Sequence, residues 1–512
     1  MKKITLTLAA YLISLGTASA NMAPSLKNGI QYFKRQEHKK AASELYKVLY
    51  SPNLSEHERS LARFYLGGSL VKLKLYQTAA FPLIVVAKGT PSKMTQRAFE
   101  NLVLISENLN DSELLNYTLK KLDAADLNEI AKSFYYTRMG QALMQEQKYG
   151  ESLEYLKQSL QNDPNGEEAL YTTALVYLKQ NDTASAIPLL EKIYSKYFNR
   201  PATDVKRGRA GLALGRAYYQ AKRWNDAVNI YREVPKDHPL YRESQMELAW
   251  SLFRTAKFRS AMSTIQTLHT PFYANFYDPE SLILRSIILI FVCQNDEAEK
   301  ALVSFRKNYT SAFSVLADVN RSNQNTEFFF KQIEESNRYL KDLKNNRTPS
   351  YKGQLPFFIV RSLIESPALK NKLSYLDQVQ EEKNRVAKIF NKADDAPIKK
   401  YALKILDGRQ KNISKEAGNI LKNALLLKEQ ELSLFTGDTG LINYEILNGK
   451  KKEARKEYIR KLNNPESAAI DKNDSRDFYI NNGYRYWPFE GEYWRDEIGN
   501  YQYLGVNRCD EE

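Results

Sequence analysis

Small residues recur in this chain at a set distance. Gly140 is followed 34 residues later by Ala174, and Gly215 is followed by Ala249 at the same distance. Each keeps the same company. Leu143, Tyr177, Tyr218 and Leu252 stand three positions on, and Ser152, Ala186, Ala227 and Ala261 twelve positions on. Leu156, Leu190, Tyr231 and Ile265 stand sixteen positions on, and in two copies Pro164 or Pro239 follows at 24. Apolar residues at i, i+3, i+4 and i+7 form one stripe of a helix. Small residues at matching levels of two successive helices let them approach closely. Proline ends the second helix, because it lacks an N–H and its ring clashes with the preceding turn. One such pair cannot bury its stripe alone, so neighbouring pairs must stack.

This spacing resembles the tetratricopeptide-repeat (TPR) pattern, W-x2-L-G-x2-Y…A-x3-F…P at a period of 34. The fullest copy is Gly211, Leu214, Gly215, Tyr218, Ala227, Tyr231 and Pro239, which lacks only the bulky first residue. Tyr136, Met139, Gly140, Leu143, Ser152, Leu156 and Pro164 make a second. Weaker copies are Gly29, Tyr32, Ala41, Leu45, then Leu66, Gly67, Leu70, Ala79, Leu83, and Leu282, Ser286, Leu289, Ala298, Leu302. The stretch from Lys93 to Leu122 keeps helical patterning without the small residues and reads as a degenerate repeat. The resemblance covers roughly residues 25–310 and implies an all-α solenoid of about seven to eight helical hairpins. Such stacks hold other proteins. The resemblance speaks to the fold and not to the ligand.

In the TPR family the first helix of each hairpin lines a concave face. Its positions two, five, nine, twelve and thirteen point into the groove. Carried over, these positions include Thr137, Gln141 and Met144, then Tyr171, Leu175, Leu178 and Lys179. They continue with Arg209, Leu212, Arg216 and Tyr219, then Met246, Trp250, Phe253 and Arg254. The set is apolar and aromatic with arginine at intervals. It lacks the Lys-and-Asn pattern with which chaperone-binding members clamp a C-terminal carboxylate. Trp, Tyr and Arg dominate binding energy at interfaces. An extended or helical peptide held around Tyr171, Leu175, Arg216, Tyr219, Met246, Trp250, Phe253 and Arg254 is therefore the expected ligand. The alternative is that the chain's own second half covers Trp250 and Phe253.

The N-terminus reads Met1-Lys2-Lys3, an apolar run from Ile4 to Gly16, then Ala18-Ser19-Ala20. This is the layout of a secretory signal peptide, with cleavage expected after Ala20. A Gram-negative periplasmic location follows as an expectation. Later apolar segments are too interrupted to span a membrane; Arg285 and Ser286 break the most apolar one, Leu282 to Val292. The chain carries 75 basic and 60 acidic residues, a formal net charge of +15. Export argues against nucleic acid. The excess suits acidic protein partners, peptidoglycan or peripheral association with an anionic membrane surface. Of two cysteines, Cys293 reads as a buried free thiol on an apolar helix. A disulfide to Cys509 is the alternative in an oxidising compartment.

Beyond about Ser311 the repeat spacing stops while helical patterning continues over Phe328–Leu343, Leu369–Phe390, Ile413–Leu434 and Leu441–Leu462. Asn345–Gly353, Asp394–Pro397 and Gly437–Gly440 punctuate them. These amphipathic helices need partners for their apolar faces. The simplest arrangement is a bundle or long hairpin among themselves, with a coiled coil to another chain as runner-up. The tail is dense in aromatics: Tyr484, Tyr486, Trp487, Phe489, Tyr493, Trp494, Tyr501 and Tyr503. Trp487, Phe489, Tyr493 and Trp494 would either cap the helical stack or dock on another envelope protein. Joined to a signal peptide and repeats, the motif Trp487-Pro488-Phe489-Glu490-Gly491-Glu492-Tyr493-Trp494 resembles exported TPR proteins of gliding and predatory bacteria, some linked to gliding motility. The expected organisation is a signal peptide at 1–20, a solenoid at 21–310, a helical bundle or hairpin at 311–470 and an aromatic segment at 471–512.

No chemistry stands out. His38, His57, His238 and His269 are scattered, and no H-E-x-x-H, G-x-S-x-G or P-loop occurs. Glu365-Ser366 has the order seen in helical lytic transglycosylases, but Pro367-Ala368-Leu369-Lys370 stands where that family needs a glycine-containing stretch. Glu365 reads as a surface or cap residue. The expectation is a non-catalytic scaffold without metal or cofactor, serving protein–protein contacts in a cell-envelope machine. An outer-membrane assembly or secretion factor, or a peptidoglycan-active enzyme or its regulator, are the alternatives.

Overall fold

The computed structural model describes residues 23–52, 54–90, 92–109, 114, 118, 119, 127, 129–273, 276–345, 350–463, 498–503, 505, 507 and 509. Residues 1–20, expected to be a signal peptide, and Trp487, Phe489, Tyr493 and Trp494 lie outside the described residues. Nineteen α-helices and no strand occur among the described residues. The chain forms two units, residues 1–135 with 373–413, and residues 136–372 with 414–512.

The first unit holds α1 (Pro24–Lys34), α2 (His38–Leu49), α3 (Glu56–Lys72), α4 (Tyr76–Ala87), α5 (Lys93–Leu109) and the start of α6 (Glu129–Gln145). The second continues with α7 (Tyr149–Asn162), α8 (Glu167–Lys179), α9 (Thr183–Tyr197), α10 (Val205–Gln220) and α11 (Trp224–Arg232). Then come α12 (Tyr241–Arg254), α13 (Phe258–Leu268), α14 (Pro279–Phe291), α15 (Asn295–Arg321), α16 (Thr326–Lys344) and α17 (Phe357–Ile364). Both α18 (Pro367–Ile389) and α19 (Ala396–Asn463) contribute residues to each unit.

Seven hairpins share one register. Gly29, Gly67, Gly140, Ala174, Gly215, Ala249 and Ser286 mark their first helices. Seven positions on, Gln36, Lys74, Gln147, Asn181, Lys222, Ala256 and Cys293 all have left-handed backbone, with φ between 53 and 62°. The next residue donates its N–H back to the carbonyl three after the small residue. Glu37 to Tyr32 and Asp182 to Tyr177 (2.9 Å), and Gln294 to Leu289 (2.8 Å), are examples. This 6→1 bond is the Schellman closure of a helix. The small residues then meet the second helix. A Cβ on Gly67 would stand 2.5 Å from Leu83, and one on Gly140 would stand 2.6 Å from Leu156. The residues at twelve and sixteen positions on, such as Ala41 with Leu45 and Ala261 with Ile265, are fully buried. Pro164 stands two residues beyond α7, as expected, whereas Pro239 stands seven residues beyond α11 and two before α12, so it does not end that helix.

In the first unit the late helices pack on the hairpins. Glu382 of α18 is buried and accepts hydrogen bonds from the backbone N–H groups of Gln77 and Thr78 (both 2.9 Å) and from the Thr78 hydroxyl (2.7 Å). It thus caps the first turn of α4 from outside that helix. Burial pushes its carboxyl above the usual range, against the pull of those three donors. Asp395 accepts from Ser43 at 2.9 Å and pairs with Lys39 at 2.9 Å. Arg385 donates to the Lys74 carbonyl of a hairpin turn at 2.7 Å. Here α18 and α19 also face each other, Arg409 donating to Tyr375 at 3.2 Å.

In the second unit α19 runs antiparallel along α15. Asn295 donates to Glu453 at 2.8 Å, Lys450 pairs with Asp296 and Glu299 at 2.8 Å, and Lys422 reaches the Gln324 carbonyl at 3.4 Å.

Three expectations change. The division at 310/311 falls inside α15, because Phe305, Tyr309, Ala312 and Leu316 carry one buried stripe past it. Gly437–Gly440 does not break α19, which is a single helix of 68 residues. Glycine lowers helix propensity without removing an N–H, and packing along α15 outweighs that cost. Cys293 is not a free thiol: it is half-buried and forms a disulfide with Cys509, with a Cα separation of 5.2 Å. It sits not on the apolar helix but at the left-handed turn position after it.

Candidate partner-binding face

The first helices α6, α8, α10 and α12 carry the residues assigned by the TPR resemblance, and α14 continues the row. Position nine of one hairpin reaches position two of the next. Gln141 donates to Glu168 at 3.1 Å, Arg216 meets Glu243, and the Trp250 indole N–H donates to Glu280 at 2.9 Å. Arg216 also donates through Nε to Glu247 at 2.9 Å, and Arg254 donates to the Tyr219 hydroxyl at 3.3 Å. The face is therefore a ladder of donors and carboxylates joining successive hairpins.

Burial works against the charge of Arg216, but Glu247 and Glu243 more than restore it. For Glu247 burial is the larger effect and raises its carboxyl above the usual range despite Arg216. Glu280 is raised too, by burial first, while the Trp250 hydrogen bond pulls the other way. These carboxylates were not among the expected site residues. Their signal was in the spacing: Glu168 and Glu243 each lie 27 residues after their donors, one repeat less seven. The ladder is interrupted at Leu175, which has no donor to offer; the next small residue, Gly215, is 41 positions beyond Ala174 instead of 34.

The expected site residues are thus divided. Arg216, Trp250, Arg254 and Tyr219 are engaged within the chain. Tyr171 is 39% exposed, and Leu175, Met246 and Phe253 are half-buried. Thr137 and Leu212 are buried packing residues, with Thr137 hydrogen-bonded to Ser159 at 2.7 Å. Phe253 sits edge-on to Trp250 at 5.9 Å and to Phe291 at 5.4 Å, and Phe291 is largely exposed. Beside Glu280 the chain's own α19 comes close: Lys428 lies 4.5 Å over the Tyr277 ring and pairs with Glu431. The second half therefore borders the Trp250 end of the face.

A different surface is more open. Of eighteen exposed large apolar side chains among the described residues, eight lie on α19 between Leu426 and Ile459. Leu427, Leu434 and Leu441 are 65, 71 and 72% exposed and recur every seven residues. They stand opposite the buried stripe of Leu425, Leu432 and Ile446. No group of three or more His, Cys, Asp or Glu able to hold a metal occurs among the described residues. No helix among them is long and apolar enough to cross a membrane.

Two family models, both described as tetratricopeptide repeat, match residues 143–202 and 212–265. No curated protein matches the chain in sequence. Among solved structures, a tetratricopeptide repeat protein from Parabacteroides merdae is 12% identical, covering 56% of this chain and 94% of its own at a TM-score of 0.26. Aspartyl phosphate phosphatase F from Bacillus subtilis is 12% identical, covering 82% and 96% at a TM-score of 0.31. Similarity at this level says nothing of function. The two matches fall inside a run of hairpins built on one register, and the chain carries tetratricopeptide repeats.

Proposed function

We propose that the protein is an exported, non-catalytic scaffold that joins protein components of the cell envelope. The observation that carries this is the second face of α19, a run of eight exposed apolar side chains on a repeat protein whose polar groove residues already bond to one another. Contiguous exposed apolar surface marks an interaction site. Export is supported by the layout of residues 1–20 and by the Cys293–Cys509 bond, which suits an oxidising compartment. The finer reading, a part in gliding motility, rests on the resemblance of the Trp487–Trp494 motif.

Affinity purification of the tagged chain from crosslinked cells tests the proposal, beside Trp250→Ala and the double variant Leu434→Asp with Leu441→Asp. A discrete set of envelope proteins, lost in either variant, supports it. The same background from all three chains overturns it. Fractionation with the outer membrane would favour an assembly or secretion factor. A peptidoglycan-active enzyme is the remaining alternative. Glu365 is exposed at the end of α17, 3.4 Å from Arg361. Clearing of cell-wall sacculi by the purified chain, lost in Glu365→Ala, would replace the scaffold reading.

A further inference from the structure

Units of a repeat stack touch only their neighbours, yet the described residues between 498 and 509 cross three hairpins. Ile498 is buried against Val234, Tyr241 and Tyr273, with Phe276 and Tyr501 beside them. Gly499 has φ +88° and lies so close to Tyr241 that a Cβ would stand 2.5 Å from its hydroxyl. Tyr503 receives Ser263 of α13 as acceptor for its N–H at 2.9 Å, and its hydroxyl donates to Gln294 at 2.6 Å. Cys509 then bonds to Cys293 in the α14–α15 turn. Six of the seven equivalent turn positions hold Gln, Lys, Asn or Ala, so this position needs no cysteine for its backbone.

We propose that this segment is a strap latched by the Cys293–Cys509 bond, and that a protein dithiol unlatches it and opens the seat formed by Val234, Tyr241 and Tyr273. Ordering a strap costs conformational entropy at each residue. Burial of Ile498 and the hydrogen bonds of Tyr503 offset part of that cost, and the covalent bond tethers the end of the segment to the α14–α15 turn. Both cysteines are half-buried, which leaves the bond within reach of a reductant. In the exchange, one thiolate of the dithiol attacks a sulfur of the bond and forms a mixed disulfide. The other cysteine leaves as a thiolate and takes a proton. The second thiol of the reductant then resolves the mixed disulfide. Two electrons pass to the bond, leaving two thiols on this chain and a disulfide on the reductant.

Hydrogen exchange on the full chain, read by mass spectrometry, tests the latch. It is measured oxidised, after dithiothreitol, and in Cys509→Ser. The proposal expects exchange at Tyr503 and around Tyr241 and Tyr273 to rise at least tenfold in the last two states, while α7–α9 stay unchanged. Alkylation before and after a thioredoxin-type dithiol should show two new thiols in the folded chain. Unchanged exchange after reduction means the strap stays seated without the bond, and overturns the proposal. So does loss of protection in α7–α9, which makes the bond a determinant of folding. A bond that opens only in denaturant also overturns it. Reducing the folded wild type keeps the test valid if Cys509→Ser fails to fold.

Discussion

Residues 373–413 and 414–459 are both built mainly of amphipathic helix, and they dispose of their apolar side chains differently. In the first stretch Tyr375, Val379, Val386, Phe390, Ile398, Ala402, Leu406 and Ile413 are all buried to within 1%. None of its large apolar side chains is exposed among the described residues. In the second, Ala417, Leu421, Leu425, Leu432 and Ile446 form a buried stripe, and a second apolar stripe faces outward. A helix with one apolar stripe is finished once that stripe is covered. A helix with two has a face left over. The difference separates a structural segment, which caps and buttresses hairpins, from one with a surface to offer.

The comparison breaks most readily at Glu382. If residues 373–413 are structural, Glu382→Ala strands two buried N–H donors at the start of α4. Each unmet donor costs about 1–3 kcal/mol, so the first unit should lose about 3 kcal/mol in denaturant unfolding. A loss under 1 kcal/mol would show that α4 does not depend on this cap.

One substitution with opposite signs sharpens it. Gly67→Ala drives a Cβ into Leu83, which α4 holds in place, and should cost about 1–2 kcal/mol after the gain in helix propensity. Gly437→Ala meets nothing within 4 Å and should stabilise by up to about 1 kcal/mol. Paired thermal melts decide this. Destabilisation by Gly437→Ala would mean that the outward face is not open.

Asp395 gives a smaller, pH-dependent contrast. Burial acts to raise its carboxyl, but the Lys39 and Ser43 contacts outweigh it and hold it below the ordinary value of 3.8. The folded form therefore binds its proton later than the unfolded chain. The stabilisation is present above about pH 4 and is lost as pH falls through the lowered value. Unfolding followed from pH 6 to pH 3 should show this loss in the wild type and a weaker one in Asp395→Asn. Equal slopes would remove Asp395 as an anchor.

Much of this was legible in the chain, for physical reasons. Seven hairpins follow from where Gly29, Gly67 and their counterparts stand, because close approach leaves no substitute for a small side chain. The carboxylates Glu168 and Glu243 were legible only once the period was combined with a contact between neighbouring repeats. Cys293 misled because apolarity continues through Val292, whereas α14 ends at Phe291; counting seven from Ser286 puts it in the turn. The continuity of α19 was hidden by its glycines. Gly449 packs against the Asn295 side chain, so glycine there serves close approach and not a break. Burial of one stripe and exposure of another cannot be read from periodicity, since both have helical spacing.

The smallest expected effect carries the comparison furthest. Leu434→Asp and Leu441→Asp should change the stability of the purified chain by no more than about 0.5 kcal/mol each, the range for open surface positions. The same change at Leu432, two residues from Leu434 and fully buried, would introduce an unpaired charge into the contact with the rest of the unit. Leu432→Asp should therefore unfold α19 from its seat. Circular dichroism melts of the three variants separate the faces. If Leu434→Asp costs as much as Leu432→Asp, the outward stripe already has a cover in the folded chain. It would then be core, and α19 would offer no surface. If Leu434→Asp melts like the wild type but loses its crosslinked partners, the stripe is retained for contact, and its burial happens on another molecule.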